Sequence, residues 1–427
     1  MKIVIVGGGF GGLYAAQALR RVANAEVTLV DKRNFHLFQP LLYQVATGSL
    51  SPGEIAAPLR SVLKNQHNTQ VLMAEVTGID PVAKTLALDG GLDSLTYDSL
   101  IVATGSRTSY FGNDGWAEVA PGLKTVEDAT RIRHKILRAF EAAEKEDNPE
   151  IRRAYLTFLI VGGGPTGVEL AGAIAEIAND TLRHDFREIR PEESRILVLD
   201  GGPRVLGAFP EELSAKAERS LLKMGVRTRN GVRVTSVDAD GVVLHSGERI
   251  PAKTVLWAAG VAASGFGKVL CTATQCETDR GGRVLVGPDL TVPGHPEIFV
   301  IGDAAAVKGK DGNWLPGVAP VAMQQGRYAA RLAANPSLPR KPFEYFNKGN
   351  LAVIGRASAV ADFGWLKVSG FFAWLLWLFV HLMYVVEFEN RLLVFIRWGI
   401  QYFTFSRGAR LITGEPVREP ETPVVRS

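Results

Sequence analysis

Near the start of the chain the short apolar run Ile3–Val6 passes straight into glycines, "IVIVGGGFGG". After a helix-like stretch a second apolar run, Glu26–Val30, ends at Asp31. About 155 residues later the arrangement returns as "FLIVGGGPTG" from Phe158, continues through Glu169, Leu170, Ile174 and Ile177, and closes with "RILVLD" at Asp200. Short apolar runs bounded by glycine predict buried strands, and the order strand, turn, helix, strand predicts parallel βαβ units. Three further runs, "YDSLIVATGS" from Tyr97, "TVLWAAGV" from Thr254 and "PEIFVIGDAAAV" from Pro296, predict strands that end in small residues.

The carboxy-terminal pattern is different. Phe371–Val386 is sixteen residues interrupted only by His381, and beyond Glu387, Glu389 and Arg391 a second run spans Leu392–Phe405. Sixteen residues of helix reach ~24 Å against a hydrocarbon core of ~30 Å, short for a crossing unless Val368–Gly370 are added. In the second run Arg397 and Gln401 stand one turn apart among Leu392, Phe395, Ile396, Trp398, Ile400 and Phe403, the pattern of an interfacial helix. Arginines 391, 397, 407, 410 and 418 face one acid, Glu415, and Trp374, Trp377, Tyr384, Trp398 and Tyr402 suit the headgroup zone. Together these predict a monotopic helical hairpin bound to anionic lipids. The same apolar surface also suits a homodimer interface, and the two are compatible.

Composition narrows the chemistry. With 427 residues, 46% of them hydrophobic, the chain is neither disordered nor fibrous. Its two cysteines cannot supply an iron–sulfur cluster or a disulfide framework, and no haem-attachment motif occurs, so electron chemistry would need a non-covalently held organic cofactor and no metal. The formal charge of +4 is mildly basic, but the cations cluster beside aromatic helices rather than on a polar face, which argues against nucleic acid. The opening "MKIVIVGGGF" leaves no room for a cleavable signal, so a location on the cytoplasmic face of the cell membrane is expected.

The glycine spacing carries the chemistry. Gly7, Gly9 and Gly12, with Asp31 19 residues on, and Gly162, Gly164 and Gly167, with Asp200 33 residues on, both match a dinucleotide cradle. The first glycine makes the turn, the second admits a pyrophosphate, the third packs helix on strand, and the helix N-terminus faces the phosphates. The acid hydrogen-bonds ribose hydroxyls, and at Asp200 it would repel a 2′-phosphate, favouring NADH over NADPH. Thr104 and Gly105 in the first later strand, and Gly302 and Asp303 in the third, resemble flavoprotein signatures, whose late aspartate reaches the ribitol and pyrophosphate of FAD. Because that aspartate follows the second cradle, the NADH unit (119–274, closed by the echo containing Gly260) is inserted into the FAD unit (1–118 and 275–335). A membrane-anchoring region (336–427) follows.

At this point the chain resembles the type II NADH:quinone oxidoreductases over nearly its whole length. The resemblance rests on "NFHLFQPLLYQVATGSLSPGEIAAPLR" from Asn34, "VGGGPTGVELAGAIAE" from Val161, "LPGVAPVAMQQGRYAA" from Leu315 and "YFNKGNLAVIGRASAV" from Tyr345. It implies an α/β fold of two Rossmann-like dinucleotide-binding domains plus an amphipathic helical membrane anchor. It also implies FAD as the redox centre and two-electron transfer from NADH to a membrane quinone without proton pumping. Glu169 matches a glutamate beside nicotinamide and flavin, although a carboxylate early in a helix also suits the helix dipole. Gln324 and Gln325 match part of a quinone-bordering signature from which this chain departs, with Pro320 where a glutamine is expected. Lys348 matches a lysine near the flavin and quinone. Cys271 and Cys276 lie far from the first cradle, which separates the chain from flavin disulfide reductases and weakens a sulfide:quinone reductase reading; they read as structural or incidental. A reductase of a soluble electron carrier or an NADH-sensing flavoprotein would share both cradles, but neither needs the aromatic, arginine-rich tail.

Overall fold

The duplicated strand–glycine–helix pattern builds two parallel sheets. The computed structural model describes residues 1–90, 94–404 and 407–413; Phe405, Glu415 and Arg418 lie outside the described residues. Strand β1 (Lys2–Val6), helix α1 (Phe10–Ala18) and strands β2 (Glu26–Asp31), β3 (Thr69–Met73) and β4 (Ser99–Val102) begin the first sheet, and β5 (Ser106–Thr108) leaves it for helix α2 (Val126–Lys145). The second unit comprises β6 (Thr157–Val161), α3 (Pro165–Glu176), β7 (Arg195–Leu199), β8 (Val226–Arg229) and β9 (Thr254–Trp257). Strand β10 (Val261–Ala263) and helix α4 (Phe266–Thr274) lead back to β11 (Thr291–Val292), β12 (His295–Val300) and helix α5 (Ala319–Ala334). Strands β13 (Asn350–Gly355), β14 (Ser358–Asp362) and β15 (Lys367–Gly370) then precede helices α6 (Phe371–Tyr384) and α7 (Phe388–Thr404).

The first sheet has the order β11-β12-β4-β1-β2-β3, parallel except for β11, and the second has the order β8-β7-β6-β9, parallel throughout. Strands such as Thr157–Val161 are buried along their whole length, as expected where helices cover both faces of a parallel sheet. The chain crosses between the sheets at a single antiparallel pair, β5 with β10, in which Ser106 faces Ala263 and Thr108 faces Val261. Helix α4 falls inside the range expected for the NADH unit, yet its Leu270 and Cys271 pack into the core of the first sheet, because the chain has already crossed back at β10. Cys271 is disulfide-bonded to Cys276.

The two carboxy-terminal apolar runs form helices α6 and α7, and the polar strip of the second makes contacts with the body. The apolar run breaks at Val385–Glu387, where Glu387 has φ +69° and its carboxylate accepts a hydrogen bond from Ser61 Oγ at 2.6 Å. On α7 the Arg397 and Gln401 strip turns inward: Arg397 pairs with Glu54 at 3.2 Å and Gln401 donates to the Ser49 carbonyl. Beyond the helix, Arg407 is 6% exposed and pairs with Glu176 at 2.6 Å, and Arg410 pairs with Asp185 at 2.5 Å. All three arginines pair with carboxylates of the body, which favour a cation where they are partly or wholly buried, although Arg397 and Arg410 keep 49% and 35% of their side chains exposed. What faces outward is apolar: Phe372, Phe379, Phe388, Phe395, Ile400 and Phe403 are exposed, Phe388 and Phe403 to about 80%. Among the described residues no helix is long and apolar enough to cross a membrane.

His381, the one polar interruption of the first run, is accommodated as a neutral ring. Its Nδ1 donates to the Trp377 carbonyl at 2.7 Å, its ring stacks on Trp377 at 4.2 Å and it meets the Phe38 ring edge-on at 6.3 Å. Burial pulls its pKa down to about 4 from the usual 6.5. Between these values the unfolded chain binds a proton that the folded chain refuses, so stability is complete above about pH 6.5 and falls as the pH drops toward 4. Thermal unfolding followed from pH 7 to 4 should show this loss, and His381→Phe should flatten it.

Candidate dinucleotide and substrate clefts

The two glycine turns are built alike. Gly7 and Gly162 have φ of +105° and +112°, a region that a side chain disfavours, and their N–H groups donate to Val30 O (2.7 Å) and Leu199 O (2.8 Å) of the neighbouring strand. A Cβ on Gly12 or Gly167 would come within 1.8 Å of the carbonyl oxygen of Gly7 or Gly162, so helix and strand touch through these residues. At the second glycine the reverse holds, because a Cβ on Gly9 or Gly164 would meet no protein atom within 4 Å. Both residues begin a helix, α1 or α3, that has no capping side chain and no acid in its first turn. Each turn thus offers open space above unpaired helix N–H groups, a fit for the pyrophosphate of a dinucleotide.

The two acids do more than ribose recognition requires. Asp31 accepts from the Gly8 N–H at 2.6 Å and the Arg33 N–H at 2.7 Å, and Asp200 accepts from the Gly163 N–H and, at 2.6 Å, the Gly202 N–H. Each carboxylate holds its own glycine loop in shape. Burial raises the pKa of Asp31 and outweighs these hydrogen bonds.

The flavoprotein-like strand ends meet at the crossover. Ser264 Oγ donates to Thr104 Oγ1 at 2.6 Å and Ser264 N–H to Gly105 O at 3.1 Å, while Ser106 Oγ donates to Asp303 Oδ2 at 2.6 Å. Gly260 accepts from the Ser109 N–H at 3.1 Å and lines a cleft of ≈ 630 Å³ between the two cradles, together with Thr108, Lys124, Thr166, Glu169 and Tyr43. A second cleft, of ≈ 780 Å³, lies under the hairpin, where Trp374, Trp377, Trp398 and Tyr402 form an aromatic wall opposite Gln44, Glu176, Arg407 and again Tyr43 and Glu169. Glu169 and Tyr43 therefore form a wall shared by both clefts. Burial lifts the Glu169 carboxyl well above the usual carboxylate range despite a hydrogen bond from the Val353 backbone. Tyr43 is likewise raised by burial, with the neighbouring Glu169 carboxylate adding to it. Its hydroxyl accepts from Gln44 Nε2 at 2.9 Å, and Gln44 Oε1 accepts from Trp398 Nε1 at 2.8 Å, which links the wall to α7.

The three remaining candidates line neither cleft. Gln325 is buried and accepts from the Gly302 N–H at 2.6 Å, which fixes the turn that carries Asp303. Gln324 donates to Phe346 O at 2.9 Å and accepts from Phe346 N–H at 3.0 Å, fastening the segment that leads to Lys348. Lys348 donates to the Tyr384 hydroxyl at 2.8 Å. Pro320 occupies the first turn of α5, where a missing N–H costs no helical hydrogen bond. Tyr43 and Gln44 carry no signal of their own in the sequence although they lie in the quoted "LLYQVATG" segment, because no spacing rule marks a residue whose role depends on two distant elements. Among the described residues no cluster of metal-ligating side chains occurs.

A family model described as pyridine nucleotide-disulphide oxidoreductase matches residues 1–326, and one described as NDH2 C-terminal domain matches residues 347–407. The chain is 48% identical over 430 residues to the type II NADH:quinone oxidoreductase NdhA of Mycobacterium tuberculosis, covering 97% of this chain and 90% of that protein. It is 30% identical to the type II NADH:quinone oxidoreductase of Haemophilus influenzae, with 84% and 86% covered. In fold it is similar to NDH2 from Plasmodium falciparum in complex with NADH, with a TM-score of 0.85 at 22% identity over 96% of this chain and 99% of that one.

The empty space at Gly9 and Gly164 generates a separable pair of outcomes. Gly9→Val should abolish retention of a flavin and Gly164→Val should weaken nicotinamide nucleotide binding, each with the thermal unfolding midpoint of the ligand-free protein nearly unchanged. Flavin absorbance after gel filtration and a nucleotide titration read the two losses.

Proposed function

The chain belongs to the type II NADH:quinone oxidoreductases, and on that footing we propose that it is a membrane-associated flavoenzyme whose two substrates approach Glu169 from opposite sides. FAD, when bound, takes an electron pair from NADH and passes it to a quinone. The Gly7–Gly12 turn with Asp31 and Asp303 holds FAD, and the Gly162–Gly167 turn with Asp200 holds NADH. The observation that carries the reading is the wall of Glu169 and Tyr43 common to two clefts; on this reading NADH would enter by the cleft at Gly260 and Thr166, and the quinone ring by the tryptophan-lined cleft. Flat aromatic walls with a few amides suit a neutral ring bearing two carbonyl oxygens.

Reduction of a quinone by NADH consumes one proton beyond those NADH carries. Glu169 is placed to hold that proton, since burial raises the pKa of its carboxyl well above that of an ordinary glutamate. Gln44 orients the Tyr43 hydroxyl beside it. Gln325, Gln324 and Lys348 act as positioning residues, the first for Asp303 and the other two for the loop against α6. The Asp200 carboxylate favours NADH over NADPH.

The outward apolar face of α6 and α7 enters the lipid on the cytoplasmic side, and Arg397, Arg407 and Arg410 serve to hold the hairpin rather than to meet anionic headgroups. Anionic lipids add to binding through other surface cations, and a homodimer through part of the same face is compatible with docking.

Glu169→Gln should slow reoxidation of the reduced enzyme by a short-chain quinone by ~10²-fold while changing its reduction by NADH far less, as read by anaerobic stopped-flow absorbance. Equal loss in both half-reactions would remove the proton-holding role. Vesicle binding should survive high salt and be lost in the triple variant Phe372→Ser, Phe395→Ser, Phe403→Ser; a flotation assay in which salt alone releases the protein would restore the electrostatic reading.

A further inference from the structure

The cleft between the cradles has two charged side chains in its wall, Glu169 and Lys124. Burial keeps the first toward its neutral form. Lys124 is the fixed charge, and it is held at three points. Its backbone N–H donates to Asp128 Oδ2 at 3.0 Å in the cap of α2, its carbonyl accepts from Gln39 Nε2 at 3.1 Å, and its ammonium donates to Ser106 Oγ at 3.1 Å. The Ser106 hydroxyl passes its own proton to Asp303 Oδ2 at 2.6 Å, so the ammonium and the aspartate expected at FAD are joined through one hydroxyl on the crossover strand β5. Lys124 appears in none of the ion pairs among the described residues, and its charge is not cancelled by a carboxylate in direct contact.

We propose that Lys124 sets the electron affinity of the bound FAD. The inference rests on the reading that FAD lies in the first cradle with its ring toward the cleft between the two. Two-electron, one-proton reduction by NADH releases NAD+ and leaves the cofactor with one more negative charge than before. A preorganised, partly buried cation in the same cleft stabilises that added charge. The cation is also constrained to stay: Asp128 holds its backbone N–H, and its ammonium contacts the Ser106 hydroxyl rather than a carboxylate directly.

The test uses the purified full-length holoenzyme, equilibrated anaerobically with a dye of known potential, with the ratio of reduced to oxidised flavin read from its visible spectrum. Lys124→Met should shift that ratio toward the oxidised form by roughly tenfold, Lys124→Arg should restore it, and Ser106→Ala should give a smaller shift in the same direction. A methionine variant that retains FAD with an unchanged ratio overturns the proposal. If that variant loses FAD, Ser106→Ala decides, because it releases the ammonium without removing it, and an unchanged ratio there overturns the proposal equally. A parent protein that binds no flavin defeats the assignment of the cradle instead, and the two failures are distinguishable by the spectrum of the parent alone.

Discussion

The placement of the carboxy-terminal end rests on two carboxylates of the body that pair with arginines from beyond residue 390. Glu54 is a buried residue of the short helix Pro52–Ile55, and Glu176 ends α3; each would carry a desolvation cost of several kcal/mol if left unpaired. Arg397 and Arg407 supply the missing charge. Glu176 also accepts the Arg356 N–H at 2.6 Å, so one carboxylate gathers the β13–β14 turn and the segment after α7. Once these pairs form, the rotation of α7 about its axis is fixed. Trp398 and Tyr402 become a cleft wall, and Phe372, Phe388, Phe395 and Phe403 are left largely exposed.

That constraint explains where the sequence was legible and where it was not. Glycine spacing is a local property, and Gly7–Gly12 and Gly162–Gly167 declared both turns and both helices, with their flanking strands, without any knowledge of neighbours. Amphipathic period is also local, and it correctly marks Arg397 and Gln401 as one face of a helix. It does not say whether that face meets water, lipid or protein, because the answer lies in Glu54 and Ser49, about 350 residues earlier in the chain. Gln325 shows the same limit: an amide that suits a quinone carbonyl suits the Gly302 N–H equally well, and the sequence does not display the contact it makes in the fold.

The acids at the strand ends show one residue meeting two demands. Asp31 and Asp200 already spend lone pairs on the N–H groups of their own glycine loops, which keeps those loops shaped before any nucleotide arrives. The remaining lone pairs stay available to ribose hydroxyls. Preshaping of this kind lowers the ordering cost of binding and ties affinity to the carboxylate twice, through contact and through loop geometry.

The crossover at β5 and β10 has a further meaning for how such a molecule came to be assembled. The chain departs and returns on adjacent rungs of one two-stranded ladder, so everything between Thr108 and Val261 hangs from the rest by neighbouring ends. A module attached in this way can be exchanged without rethreading its host: a descendant that needs a different electron donor can replace the segment between those two rungs and leave the flavin-side sheet untouched. Insertion at a paired stem is a topological convenience, limited here by α3, whose Glu169 and Glu176 also line the cleft under the hairpin and must change together with it.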